Sequence, residues 1–186
     1  MCKLVAWNAN GLKLSKQIRY AKHLLRNYDI VCFSESHSSI NSIKLIERTI
    51  LPLGQRSHTL FWSHGTSASR GVLVVVRNSP LYTPALVASD PNGRFVRISL
   101  SFPSLPAHSL STPSPSPLCF DILAVYAPAH SDSERHEFFS SLSVTPSTII
   151  LGDFNTVLDP LQDRVSTARD NTDKSRHTLS TVMHDY

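Results

Sequence analysis

Apolar residues in this chain fall into short runs of strand length, separated by stretches with helical spacing. "KLVAWNA" (3–9) predicts a first strand carrying Leu4, Val5 and Trp7. From Ser15 the pattern changes period. Ile18, Ala21, Leu24, Leu25 and Tyr28 share one face, and Lys16, Arg19, Lys22, His23 and Arg26 share the other. That spacing predicts an amphipathic helix with Ser15 as its N-cap. "DIVCFSE" (29–35) reads as a strand, and residues 42–51 read as a second helix halted by Pro52. "GVLVVVR" (71–77) is β-branched and continuous, as in a strand buried on both faces. "FVRISLSF" (95–102) alternates, as in a half-buried strand. Strands are also predicted for "CFDILAVYAP" (119–128) and "STIILGDFN" (147–155), with a helix between them at 133–142, N-capped by Ser133. Residues 103–117 are rich in Pro and Ser and read as a loop insertion. The end of the chain, "SRHTLSTVMHDY", is weakly helical. Many strands mixed with a few helices predict an α/β sandwich.

The 186 residues form one expected domain, 1–186, and the 41% apolar and 17% charged residues indicate a globular chain. A formal charge of +4 permits a polyanionic partner without requiring one. The three cysteines, Cys2, Cys32 and Cys119, suggest neither a disulfide framework nor a structural zinc site. No hydrophobic signal-peptide region opens the sequence, and no apolar stretch approaches the roughly 20 residues of a membrane helix. The expected compartment is therefore intracellular, with no membrane association and no obligate protein partner.

The strands share one peculiarity: several end in polar residues. Asn8 and Asn10 follow the first, Glu35 the second, Tyr126 the strand before Pro128, and Asp153 and Asn155 the last. If the chain stays extended through Phe154, Asp153 and Asn155 share a side. Strand ends converging on one rim form a common kind of site. Glu35 could hold a magnesium ion, which typically takes one or two carboxylates. Asp153 could bind a hard cation or accept a proton from water, Asn155 orient that water or donate to a phosphate oxygen, Asn8 anchor the Glu35 carboxylate or contact phosphate, and Tyr126 contact phosphate. Together they suit attack of water on a phosphodiester. Taken singly, each has a plainer role: "GDFN" could be an Asx turn, Tyr126 a packed aromatic, and His37, His130 and His136 surface groups. Lys13, Lys16, Arg19 and Arg70 are the candidate nucleic-acid contacts, although Lys13, Lys16 and Arg19 also suit a solvated turn and helix face. "SASRGV" (67–72) suits a solvated turn as well as a phosphate cradle.

In order and spacing, "AWNANGL", "DIVCFSESH", "SRGVLVVVR", "ILAVYAP" and "IILGDFN" resemble the endonuclease/exonuclease/phosphatase superfamily, which includes DNase I and abasic-site endonucleases. The wording is most similar to the endonuclease domain of LINE-type (non-LTR) retrotransposons: "NxNGL", an "ESH" like "ETH", "YAP", and "GDFN" followed by Asp163-Arg164. "DPNGRFVRISL" and "APAHSDSERHEFFSSL" carry the likeness further. The resemblance implies a DNase I-like two-sheet α/β sandwich and a Mg²⁺-dependent (or Mn²⁺-dependent) DNA endonuclease, nuclear if it belongs to a retroelement. It implies Glu35 as metal ligand, Asp153 as the group that activates water, Asn155 as the group positioning nucleophile or phosphate, Asn8 and Asn10 as supports of metal and phosphate, and Tyr126 as a contact to the scissile phosphate. The family also uses a later Asp and an Asp-His pair, usually in "SDH". This sequence has no "SDH", and His184-Asp185 has the reverse order. The expectation is a domain incomplete at its C-terminus, poorly active and poorly stable. Two rival readings are a superfamily phosphatase acting on phosphoinositides or small phosphoesters, and a catalytically dead nucleic-acid-binding remnant.

Overall fold

The computed structural model describes residues 2–51, 57–66, 68–103, 117–158 and 174–184. Most of the Pro/Ser-rich stretch (104–116), Pro52, Asp163-Arg164 and Asp185 lie outside them.

The described residues form two four-stranded mixed sheets packed face to face with helices outside. The first sheet has the order β1 (Leu4–Asn8), β2 (Ile30–Ser34), β4 (Val72–Arg77), β3 (His58–Ser63). The second has the order β5 (Thr83–Ser89), β6 (Phe95–Phe102), β7 (Leu118–Tyr126), β8 (Thr148–Asp153). Helices α1 (Ser15–Asn27) and α2 (Ile43–Ile50) cover the first sheet, α2 being preceded by a short 3₁₀ turn at Ile40–Ser42. Helices α3 (Asp132–Ser141) and α4 (Lys174–His184) pack with the second.

The continuous apolar runs are explained by burial on both faces. On β2, Ile30 and Cys32 point between the sheets with Val72, Val74, Val96, Ile98, Ile122 and Ala124. Val31 and Phe33 point outward to Ala21, Leu24 and Leu25 of α1 and to Ile46 and Ile50 of α2. Each buried Val, Leu, Ile or Phe among them, once removed from water, contributes about 1.5–3 kcal/mol before entropy is counted. Strand β6 alternates as its pattern predicts, with Val96, Ile98 and Leu100 inward. Its outward Arg97 pairs with Asp121 of β7. Burial pushes the Cys32 thiol up to about 12, so it is an inert core group.

The structure corrects two caps and adds two strands. Helix α1 starts with Ser15 as its first helical residue, and its N-cap is Leu14, which has no capping side chain. Helix α3 is capped by Ser131, whose hydroxyl accepts from the Glu134 amide, rather than by Ser133. β3 and β5 do not show in the apolar pattern. β5 is a largely exposed edge strand that contains Pro84 and a bulge between Leu86 and Ala88, so neither face carries a clear period. β1 and β8 are also edges of their sheets. Consequently "IIL" is only partly covered, and Ile149 is 45% exposed.

Candidate active site

Strand direction gathers the polar strand ends at one rim. β1 runs parallel to β2, with Asn8 opposite Ser34, and β7 runs parallel to β8, with Tyr126 opposite Asp153. β4 is antiparallel to β2, and β6 to β7, so the starts of β4 and β6 reach the same rim. A chain of main-chain hydrogen bonds then links the strand-end segments. Ala9 N–H donates to Ser34 O and Gly11 N–H to Glu35 O. Ser36 and His37 donate to Gly71 and Arg70, and Gly71 donates to Gly93. Tyr126 donates to Arg94, and Ala127 donates to Asp153. All five non-glycine residues with positive φ among the described residues lie in these segments: Asn10, Glu35, His37, Arg70 and Asn155. Such backbone costs about 1–3 kcal/mol where strained, and it persists only when its surroundings over-determine it.

One amide joins the two acids. Asn8 Nδ2 donates to Glu35 Oε1 at 2.9 Å and to Asp153 Oδ2 at 2.7 Å. Three strands from both sheets thus meet at a single side chain. Asn8 Oδ1 accepts from the Asn10 backbone N–H at 3.0 Å, which shapes the Asn-Gly turn. His37 Nε2 lies 3.4 Å from Glu35 Oε2, and the Tyr126 phenol faces Glu35 as well. Burial works to raise the Glu35 pKa, but the hydrogen bonds from Asn8, Tyr126 and His37 outweigh it and hold the carboxyl below its ordinary 4.5. Burial first, and then Glu35, push the Tyr126 phenol up to about 12. At neutral pH Glu35 is therefore a carboxylate, and Tyr126 is a protonated donor rather than a base.

The "GDFN" segment turns sooner than period two requires. β8 ends at Asp153, and Asn155 has φ +48°, so the two side chains are not successive same-side residues of one strand. Asp153 Oδ1 instead accepts the Asn155 N–H at 3.0 Å in an Asx turn. Asn155 Nδ2 donates to Ala127 O at 2.8 Å. The turn itself aims Oδ2 of Asp153 at Asn8.

The basic candidates divide into two groups. Lys16 and Arg19 line a cavity of about 600 Å³ together with Trp7, Asn8, Asn10 and Tyr20. Asn10 belongs to this cavity, and among the described residues its side chain makes no hydrogen bond to Glu35 or Asp153. Lys13 is exposed just before it. Arg70 lies on the other flank, beside the loop that carries Arg94. Two residues at this rim, His37 and Arg94, are not marked by the sequence pattern as parts of the site. The spacing of "ESH" was the available signal for His37. For Arg94 only the tertiary placement was informative: its guanidinium sits 5.2 Å from the Tyr126 ring centroid.

Solved structures with this architecture are similar to the chain at low sequence identity. The catalytic domain of Xenopus laevis APE2 is 19% identical with TM-score 0.68, over 96% of this chain and 67% of that one. AP endonuclease LMAP from Leishmania major is 14% identical with TM-score 0.66, over 98% and 66%. The endonuclease domain of TRAS1, a telomere-specific non-LTR retrotransposon, is 12% identical with TM-score 0.57, over 99% and 71%. The chain thus spans about two thirds of the length of the first two. No functionally curated protein matches the sequence. A family model does match, through residues 5–181 from β1 into α4, and by that match the chain belongs to the Endonuclease/Exonuclease/phosphatase family, whose members hydrolyse nucleic acids and phosphoesters.

Proposed function

We propose that this protein is a divalent-metal-dependent phosphodiesterase that cuts DNA, of the retrotransposon endonuclease type. The observation that carries the reading is the Asn8 amide held between Glu35 and Asp153, one acid from each sheet. A neutral donor between two carboxylates spares them the mutual repulsion of two acids in direct contact.

The donor set suits a hard cation. Glu35 is ionised, offers oxygen only, and sits beside the neutral oxygen donors of Asn8 and Tyr126. Among the described residues there is no group of three His, Cys, Asp or Glu, as a zinc site would commonly use. Magnesium needs only one or two protein carboxylates, and manganese accepts the same oxygen ligands. Glu35 would hold the ion, with Asn8 fixing its carboxylate. When bound, the ion supplies charge stabilisation at a phosphoryl oxygen and a more acidic water.

The chain's own groups supply the rest. Asp153 is held by Asn8 on one oxygen and by the Asx turn on the other, and accepts the proton of the attacking water. Asn155 commits one amide hydrogen to Ala127, leaving its second hydrogen and its carbonyl oxygen to orient water or phosphate. The neutral Tyr126 phenol, which gives its one O–H to Glu35 in the structure, would redirect it to a phosphoryl oxygen of the substrate. Lys16, Arg19 and Arg70, on the two flanks, favour a polyanion over a small phosphoester. Similar solved structures include AP endonucleases and a retrotransposon endonuclease domain, in keeping with DNA as the substrate.

The test is nicking of supercoiled plasmid with Mg²⁺ by the chain, Glu35→Gln and Asp153→Asn. Each substitution is expected to lower the rate by at least about 10²-fold, the scale for a preorganised electrostatic group. Nicking at the unsubstituted rate by both variants would sink the assignment. Release of inorganic phosphate from small phosphomonoesters, with plasmid left intact, would favour the phosphatase reading.

A further inference from the structure

We infer that Arg94, together with Arg70, forms a two-guanidinium clamp for a substrate phosphate flanking the scissile one. The phosphodiester-cutting reading supplies the identity of that anion. The inference itself begins from two arginines that flank a close approach of two turns. Gly71 N–H donates to Gly93 O at 3.1 Å, and a Cβ on Gly93 would come within 2.8 Å of Gly71 N. Only glycine allows these two turns to approach so closely, and Arg70 and Arg94 are their neighbours in sequence. Burial, and next the Arg70 charge, depress the Arg94 guanidinium below its ordinary value, as expected of a half-buried cation beside another.

Neither charge is neutralised locally. Among the described residues no carboxylate lies within ion-pair distance of Arg70 or Arg94. Asp90 and Glu134 act on Arg94 only from farther away. Arg94 is nonetheless fixed. Its guanidinium covers the Tyr126 ring, and Nη1 donates to Tyr126 O at 3.4 Å. A guanidinium has five N–H donors, so most of them stay available. Two adjacent like charges, one of them partly desolvated, are unfavourable until an anion bridges them. A phosphate does so with charge-assisted hydrogen bonds whose planar geometry suits arginine. Tyr126 lies between this clamp and Glu35, so the bridged phosphate neighbours the reacting one rather than replacing it.

The experiment compares the full chain with Arg70→Asn, Arg94→Gln, Arg94→Lys and the Arg70→Asn/Arg94→Gln double variant. Asn tolerates the positive φ of residue 70. Arg26→Gln, an exposed change at the far end of α1, controls for loss of charge alone. Binding to a fluorescent duplex oligonucleotide of about 20 base pairs is measured in EDTA, so it does not depend on cutting. Each single variant is expected to bind about tenfold more weakly, and Arg94→Lys to recover only part of the loss. The double variant should reduce the slope of log K against log salt by about 0.9, one phosphate's worth. With Mg²⁺, KM for DNA should rise about tenfold with kcat little changed. Hydrolysis of bis(p-nitrophenyl) phosphate, which has no flanking phosphate, should fall by much less than cutting of DNA. Melting curves confirm that each variant is folded; if Arg94→Gln is not, Arg70→Asn alone decides.

Absence of DNA binding by the unsubstituted chain at about 50 mM salt, equal weakening by Arg26→Gln, or binding by Arg70→Asn as tight as the unsubstituted chain's overturns the clamp. So does an equal loss on DNA and on the small diester. A chain that binds DNA through Arg70 and Arg94 but hydrolyses nothing leaves the clamp standing and removes the phosphodiesterase reading. A chain that cuts normally after both substitutions does the reverse.

Discussion

Replacing Gly152 by alanine puts a methyl group where the structure has no room. A Cβ at this position would lie 2.1 Å from the Val125 carbonyl oxygen, 2.8 Å from its nitrogen and 2.9 Å from its carbonyl carbon. These are backbone atoms of the paired strand, in register with Gly152, and cannot swing aside. Gly152 also has φ +141°, which an L side chain rarely adopts. Backbone strain of about 1–3 kcal/mol and overpacking of about 1–3 kcal/mol together destabilise by about 2–6 kcal/mol. A typical domain has only about 5–15 kcal/mol in total. With a urea slope of about 1–3 kcal/mol per molar, a loss near 3 kcal/mol moves the midpoint down by about 1–3 M. Relief of the contact moves β8 off β7 by about 1 Å, and Asp153 is the next residue. A displacement of that size costs roughly 10²-fold in rate when it shifts a reacting group. Urea titration followed by fluorescence, together with the nicking assay, reads both effects. A Gly152→Ala protein with an unchanged midpoint and unchanged nicking would refute the claim that this glycine is required by the close approach of two strands.

The lowered Glu35 pKa also sets a pH dependence. Its ionised form is favoured in the folded state, so its contribution to stability is complete above the ordinary 4.5 and is lost as the pH falls through the lower folded value. The urea midpoint of the chain relative to Glu35→Gln should therefore hold steady above pH 4.5 and decline as the pH falls below it; a relative midpoint that rises on acidification contradicts the donor arrangement around Glu35. Lys16→Gln and Arg19→Gln, at the cavity beside Asn8, should each weaken DNA binding and flatten its salt dependence by about 0.9 in slope. Affinity that ignores salt between roughly 50 and 200 mM would remove the phosphate-contact role of this cavity.

Local pattern determined much of the architecture. Runs such as "VLVVV" are apolar at every position because sheets and helices cover both faces, and "FVRISLSF" alternates because one face is half open. The period of α1 fixed which residues face the sheet, and the order of the motifs marked the polar strand ends. The N-caps are Leu14 and Ser131 rather than Ser15 and Ser133: at α3 two nearby serines satisfy the same local preference, and at α1 the backbone path puts a residue without a capping side chain at the cap. β5 escaped notice because an exposed edge strand is held by main-chain pairing, which leaves little trace in side-chain type. Tertiary structure alone decided that Asn8 stands between Glu35 and Asp153, residues 27 and 145 positions away. It also decided that Asn155 is turned by an Asx turn rather than carried on by the strand, and that Arg94 covers Tyr126. Periodicity reports which face of an element is buried. It carries no information on which strand end meets which, because that follows from sheet order and strand direction, set by the packing of the whole core.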